Sequence, residues 1–178
     1  MFIFAIHTQI TIMYRSINDF LADWQQEAAN TAKIFANITE EVKGIKINPN
    51  IRSLERLAWH ITETITEMGT KAGLFDSNLL EHQPVPATFA QIAATHQKYN
   101  ALLAEAVTKR WVDSGLTDEV PMYGESWAKG TVLSVLIAHE AHHRSQMTVI
   151  MRMVGLPVPG LYGPSAEEWV AYGMAVQE

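Results

Sequence analysis

The sequence contains no cysteine among its 178 residues. This absence excludes disulfide bonds, thiolate metal ligands and a cysteine nucleophile, so any metal must be held by histidine or carboxylate side chains. A chain without cysteine is also compatible with a reducing compartment, and we expect a cytoplasmic protein.

Basic residues are few and scattered. Thirteen lysines and arginines stand against 19 aspartates and glutamates, which gives a formal net charge of −6 at pH 7. Binding to a phosphate backbone requires a basic face, and the sequence has no cluster of lysine or arginine. The composition therefore argues against nucleic acid as a partner.

The sequence also lacks a long hydrophobic run, an internal repeat and a linker of biased composition. The apolar residues 1–13 are too few to span a membrane, and they lack the basic start and the cleavage site of a signal peptide. We interpret residues 1–15 as an N-terminal extension, and no membrane partner is expected. The extension is either a genuine segment, strand-like or disordered, or residues 1–12 are an overrun before a natural start at Met13. We favour the second interpretation because helix start signals follow closely.

Apolar residues recur at three- and four-residue steps in four long stretches, which is typical of amphipathic helices. The predicted helices cover residues 16–39, 53–73, 88–111 and 133–155, and a short fifth helix begins at Ser165. No stretch alternates as a strand would, so residues 16–178 are predicted to form one all-α domain, a four-helix bundle with a short additional C-terminal helix. Two connections of about fifteen residues or more are long enough to join parallel neighbours.

The fourth predicted helix carries polar, metal-capable residues in its apolar centre. The string HEAHH aims Glu140 and His143 into the buried stripe, with His139 at its flank. An unpartnered buried polar group costs about 1–3 kcal/mol, so these side chains need partners. Because His139 and His143 are four residues apart, their rings lie one turn apart and can share one cation. The spacing therefore predicts a metal site.

Three interpretations of this cluster compete. The histidines can be ordinary hydrogen-bonded interior residues. The string can instead be the H-E-x-x-H motif of a zinc metalloprotease, with Glu140 as general base and Glu167 or Glu168 as third ligand, although no strand is evident to hold a peptide. The third interpretation is a site within the bundle whose last ligand is His60 or His96, and periodicity alone does not choose between them.

Three segments carry a resemblance to a known family. They are LERLAWHITETI in the second predicted helix, HEAHHRSQ in the fourth, and the VGLPVPG that follows. Together they resemble the DinB family, a damage-inducible group of metal-binding four-helix proteins that includes bacillithiol-transferase-like members. The resemblance covers most of the chain from about Ser16 onward. Many relatives have glycine in the string HHRGQ, where this chain has Ser145.

The resemblance implies a metal triad of His60, His139 and His143, a bundle in up-down-down-up order, and a homodimer. Three neutral imidazoles leave a coordination position free for water or substrate, and they suit a divalent ion such as Zn²⁺ or Ni²⁺. Glu140 is expected either to support the ligands or move a proton, or to pair with Arg144 or another cation.

The expected function also follows from the resemblance. It implies a metal-dependent enzyme, a thiol S-transferase or a hydrolase acting on small electrophilic substrates, with a low-molecular-weight thiol as a small-molecule partner. The alternative is a non-catalytic metal-binding stress-response protein in which the ion mainly ties two helices together. Arg144 and Gln146 are expected to be structural rather than catalytic.

Overall fold

A computed structural model of the protein describes residues 13–176. The predicted N-terminal extension falls mostly on residues 1–12, which lie outside the described residues. The described part is mostly helical, with five α-helices, one 3₁₀ turn and a small two-stranded sheet. In chain order the elements are α1 (Ile17–Ala36), α2 (Leu54–Lys71), α3 (Phe89–Arg110), the 3₁₀ turn (Asp113–Gly115), β1 (Glu119–Met122), β2 (Glu125–Ala128), α4 (Lys129–Met153) and α5 (Ala166–Ala171).

Four of the α-helices begin directly after a hydroxyl residue that caps them. The side chains of Ser16, Ser53, Thr88 and Ser165 each accept a hydrogen bond from the backbone N–H three residues later. At Thr88 and Ser165, the side chain of the third helical residue also accepts a hydrogen bond from the backbone N–H of the capping residue, which completes a capping box. Each cap satisfies a backbone donor that the first helical turn leaves free, and this fixes where the helix begins.

A β-hairpin in the second long connection corrects the all-α prediction. β1 and β2 pair antiparallel, with Met122 opposite Glu125. The turn residues Tyr123 and Gly124 have φ of 52° and 86°, the left-handed pair that a two-residue hairpin turn requires. The sequence does not predict this hairpin, because each strand has only four residues. Met122 is the one buried residue of the two strands, so they lack the alternation of apolar and polar residues by which a strand is usually predicted.

α4 begins at Lys129, before the predicted start at residue 133, and it runs through Gly130. This glycine is buried, and its carbonyl accepts a hydrogen bond from the backbone N–H of Tyr14 at 3.2 Å. A Cβ atom at position 130 would lie 2.2 Å from the Tyr14 carbonyl oxygen. Gly130 therefore allows the two segments to approach closely and does not interrupt the helix.

α1 and α2 each pack against both α3 and α4, and the apolar core lies among these four helices. Between α1 and α3, the Trp24 indole N–H donates to the Asn100 carbonyl at 3.1 Å, and the ring centroids of Phe35 and Phe89 are 5.4 Å apart. Burial of such side chains stabilises the helices at roughly 25 cal/mol per Å² of apolar surface. Within residues 13–176, no helix is both long enough and apolar enough to cross a membrane.

Candidate metal centre

α2 and α4 bring three histidines together. His60 lies in the middle of α2, and His139 and His143 lie one turn apart on α4. One ring nitrogen from each histidine lies within 4.8 Å of the other two, and the Nε2 atoms of His60 and His139 are 3.2 Å apart. The structure therefore places His60, rather than His96, beside the pair on α4.

The spacing of these rings fits a single ion. In a tetrahedral zinc site with Zn–N bonds of about 2.0–2.1 Å, neighbouring nitrogens lie about 3.3–3.4 Å apart. The 3.2 Å between the Nε2 atoms of His60 and His139 is close to that distance. The ring centroid of His60 is 5.0 Å from that of His139 and 4.6 Å from that of His143. These three side chains could hold a divalent metal ion.

The surroundings keep the imidazoles neutral, which is the form that binds a metal. Burial, followed by the positive charge of Arg52, lowers the pKa of His60 to about 3. Burial, followed by the neighbouring His143, lowers the pKa of His139 to about 4. Burial also lowers the pKa of His143, against the opposing effect of its bond with Gln146. At neutral pH none of the three rings has to lose a proton before it coordinates.

We expect the affinity for a metal to change little between about pH 6 and about pH 8. Protons compete with the ion only near the pKa of each ring, and the values for His60 and His139 are about 3 and about 4. Histidines with the ordinary pKa of about 6.5 would lose affinity through this range. Competition titrations against a chromophoric chelator, corrected for its own protonation, measure the effect. A steep loss of affinity from about pH 7 to about pH 6 would contradict the neutral triad.

Gln146 fixes the orientation of one of the three rings. Its Oε1 atom lies 2.8 Å from Nδ1 of His143, and its Nε2 atom lies 3.1 Å from Nε2 of the exposed His142. An amide oxygen can only accept, so Nδ1 of His143 carries the proton and its Nε2 is left with a lone pair for an ion. The sequence predicts a structural role for Gln146 but not this contact, although the three-residue spacing from His143 is a signal for it.

Replacing Gln146 with alanine should weaken metal binding without abolishing it. The ring of His143 would lose the bond that sets its tautomer and direction, and the loss of such supporting contacts typically lowers metal affinity about 10–100-fold. The dissociation constant from chelator competition measures the change. Ser145→Ala is the matched control, since Ser145 is the exposed neighbouring residue on the same helix. Equal affinities for Gln146→Ala and Ser145→Ala would show that the amide does not support the ligand.

Glu140 points towards α1 and α3. It is 2% exposed, its Oε1 atom accepts a hydrogen bond from the Thr31 hydroxyl at 2.5 Å, and the same atom lies 3.3 Å from Nε2 of His96. Although burial acts against it, the His96 ring, the Thr31 bond and the charge of Arg144 hold the pKa of Glu140 below its ordinary value. These contacts agree with the second role expected for Glu140, that of a carboxylate paired with other side chains. His96 is buried there too, with its ring centroid 5.3 Å from that of Phe35.

Arg144 is buried between α4 and α1, with 1% of its surface exposed. Its guanidinium forms an ion pair with Glu27 and donates to the Glu27 carbonyl at 3.2 Å and to the Thr31 hydroxyl at 3.0 Å. The Tyr162 hydroxyl donates to the same Glu27 carboxylate at 2.6 Å and so attaches the segment that follows α4. These contacts agree with the expected structural role of Arg144.

Two cavities adjoin the triad. A polar cavity of about 510 Å³ contains His60 and is lined by charged side chains of α2, among them Arg56 and Glu63. A more apolar cavity of about 550 Å³ contains His143. Arg52 lines both cavities. His60 and His143 can thus be reached from the surface, as a site for a small molecule requires.

The arrangement gives no support to the metalloprotease interpretation. In the H-E-x-x-H motif the glutamate must reach a water on the metal, whereas the Glu140 carboxylate bonds to Thr31. The predicted third ligands are also engaged elsewhere. Glu167 is paired with Arg152, and Glu168 accepts hydrogen bonds from the backbone N–H groups of Gly160 and Ser165.

The fold and the site together define a class of protein. It is a mostly helical protein with three histidines, from two of its long helices, that could hold one metal ion. The chain belongs to the DinB family, whose family model matches residues 13–175. The predicted family is therefore confirmed.

Individual relatives agree with this assignment. The chain is 34% identical over 162 residues to the uncharacterized protein YrdA of Bacillus subtilis. The match covers 91% of this chain and 97% of YrdA. It is 36% identical to a DinB-like protein from Bacillus cereus of known crystal structure, with a TM-score of 0.75, covering 84% of this chain and 100% of the other. A DinB-like protein of Bacillus subtilis, YjoA, shares the fold with a TM-score of 0.66 at 16% identity, over 83% of this chain and all of that one.

Proposed function

We propose that this protein is a divalent-metal-dependent enzyme, a thiol S-transferase or a related hydrolase that acts on small electrophilic substrates. The observation that carries the proposal is the meeting of His60, His139 and His143 within 4.8 Å, beside two cavities large enough for a small molecule. Zinc and nickel are the proposed metals, because borderline divalent ions prefer imidazole ligands. Three protein ligands leave a position for a substrate, which is typical of catalytic rather than structural sites.

The ion and the side chains of this chain would have different roles in the reaction. A bound divalent ion would act as a Lewis acid and hold a thiol as its thiolate at neutral pH. His60, His139 and His143 would hold the ion, and Gln146 keeps Nε2 of His143 directed to it through the 2.8 Å contact at Nδ1. Because the rings are neutral, the site would keep the full charge of the ion, which favours an anionic guest.

We also infer that the four long helices form one bundle in up-down-down-up order. The contacts between α1 and α3 described above run in opposite directions along the two helices. The C-terminal ends of α2 and α3 meet where Arg110 donates to the Gly73 carbonyl at 3.2 Å. The N-terminal ends of α1 and α4 meet where Tyr14 donates to Gly130. These contacts support two parallel pairs, α2 with α3 and α1 with α4. The homodimer implied by the resemblance stays a prediction.

A non-catalytic metal-binding role is the second candidate, and the position of Glu140 favours it. The carboxylate that the sequence offers as a proton carrier is 2% exposed and bonded to Thr31. In that case the ion would mainly tie α2 to α4 and so stabilise the fold.

Cobalt substitution distinguishes the two candidates. A cobalt-loaded enzyme with an open position should bind an added thiol and develop an intense ligand-to-metal charge-transfer band. A coordination sphere closed to ligands would leave the spectrum unchanged when thiol is added. The first result is expected, and the second would leave only the structural role. His143→Ala is the matched control, because loss of one ligand should remove the cobalt spectrum itself.

A further inference from the structure

We infer that the metal site takes substrates in which an anionic group, such as a carboxylate, is joined to an apolar group, and that Arg52 binds the anion. This inference rests on the proposed function and names the substrate class of the same site. Arg52 is then a specificity-determining residue, and the apolar group binds in the cavity beside His143.

Arg52 has no partner among residues 13–176, in which it forms no hydrogen bond, ion pair or ring contact. It lies just before Ser53, the N-cap of α2, and it is exposed. Arg56, one turn later, lines the polar cavity as well, but its guanidinium is paired with Glu63 at 3.1 Å. A guanidinium prefers to bind a carboxylate through two parallel hydrogen bonds, and that of Arg52 is available to a ligand.

Arg52 adjoins the triad on two sides. It lines the cavity that contains His60 and also the cavity that contains His143. An anion bound to Arg52 would therefore lie within the reach of a small molecule whose other atoms coordinate the metal.

The cavity beside His143 has an apolar wall. Ile51, Val149 and Met153 line it although they are 42%, 58% and 62% exposed. Large apolar side chains that are exposed next to one another mark a binding surface more often than isolated ones do. Of the described residues that line this cavity, Arg52 is the only lysine, arginine or acidic one. It therefore fits a ligand with one anionic end and an apolar remainder.

The polar cavity fits such a ligand less well. Its lining combines three glutamates with three basic residues, Arg52, Arg56 and Lys71, and it has no apolar wall comparable to that of Val149 and Met153. We therefore assign the anionic, apolar ligand to the cavity beside His143, with Arg52 at the boundary between the two cavities.

Thiol titrations of the cobalt-loaded protein test the assignment. The probes are 3-mercaptopropionate and the neutral 3-mercapto-1-propanol, with each affinity expressed for the thiolate form and read from the charge-transfer band. The wild-type protein should bind the carboxylate about tenfold more tightly or better, as expected for a hydrogen-bonded charged pair. Arg52→Gln should lose this preference, whereas the control Arg56→Gln should retain it. Cobalt content, measured by emission spectroscopy, should be the same in all three proteins.

A second variant tests the apolar wall. A 3-mercaptopropionate that carries a butyl side chain should bind the wild-type protein more tightly than the parent thiol, and Val149→Ser should remove that gain. Equal binding of charged and neutral thiols, or a preference that survives Arg52→Gln, would overturn the inference and leave the proposed function standing. No charge-transfer band with any thiol would overturn both.

Discussion

Replacing His139 or His143 with alanine should leave the purified protein without stoichiometric metal. The remaining two imidazoles cannot complete the set of three that converges within 4.8 Å, and a site with two neutral ligands binds a divalent ion far more weakly. His60→Ala should have the same effect, because its Nε2 atom lies 3.2 Å from that of His139. Plasma emission analysis of protein that has been loaded with zinc and then desalted measures the metal content.

Two other histidines provide the controls for this result. His142 is exposed on the same helix and lies outside the group of three, so His142→Ala should keep full metal content. His96→Ala should keep it too, because His96 is buried against Phe35 and Glu140. Full occupancy in His139→Ala or His143→Ala would refute the triad. Loss of metal in His96→Ala, with retention in His60→Ala, would transfer the third ligand to His96.

Replacing Arg144 with alanine should lower the free energy of unfolding by about 3–5 kcal/mol. The change removes one partner of a buried ion pair and leaves the Glu27 carboxylate, 7% exposed, without its cation. The Thr31 hydroxyl would lose its 3.0 Å bond at the same time. Urea denaturation followed by circular dichroism at neutral pH gives the free energy, and the slope of the transition shows whether unfolding stays two-state.

Arg152→Ala is the matched control for this prediction. Arg152 lies on the same helix and is also paired with a glutamate, Glu167, but the two side chains are 42% and 43% exposed. Water and salt screen such a pair, so its loss should cost no more than about 1 kcal/mol. Equal effects of Arg144→Ala and Arg152→Ala would show that burial does not distinguish these pairs. Glu27→Gln should fall between them, since glutamine can still accept a hydrogen bond from Arg144.

The triad shows how far sequence reasoning reaches. The four-residue spacing of His139 and His143 is enough to predict a shared ion, because the geometry of one helix fixes it. Which third histidine joins this pair depends on which helices pack together. His60 and His96 both occupy plausible positions on their helices, and periodicity within a helix carries no information about its neighbour. The resemblance to the family supplied the choice of His60.

The polar interior shows where pattern reasoning fails. Glu27 is seven residues after Phe20 and three after Trp24, so the helical repeat places this charged residue on the buried face of α1, where it is paired with Arg144. Hydrophobic periodicity cannot predict this pair, since a buried charge is stabilised only by a partner on another element. Glu140 is a second example. Its position on the buried stripe was predicted correctly, but the stripe is wide enough to face either the triad or α1 and α3.

Local chemistry predicted the helix boundaries better than it predicted the connections. Hydroxyl caps such as Ser16 and Thr88 act through the backbone within one turn, so they can be read directly from the sequence. The hairpin of β1 and β2 depends instead on packing against α2 and α4, and its strands lack an alternating pattern. The start of α4 differs from the predicted residue 133 for a similar reason, because the role of Gly130 depends on Tyr14, a residue distant in the sequence.

Anomalous diffraction at the zinc edge from crystals of the zinc-loaded protein locates the bound ion. We expect one strong peak at about 2.0–2.1 Å from a ring nitrogen of each of His60, His139 and His143, with at least one further position taken by solvent or a small ligand. A peak bound elsewhere, such as at His96 and Glu140, or a zinc-loaded crystal with no peak between α2 and α4, would contradict it.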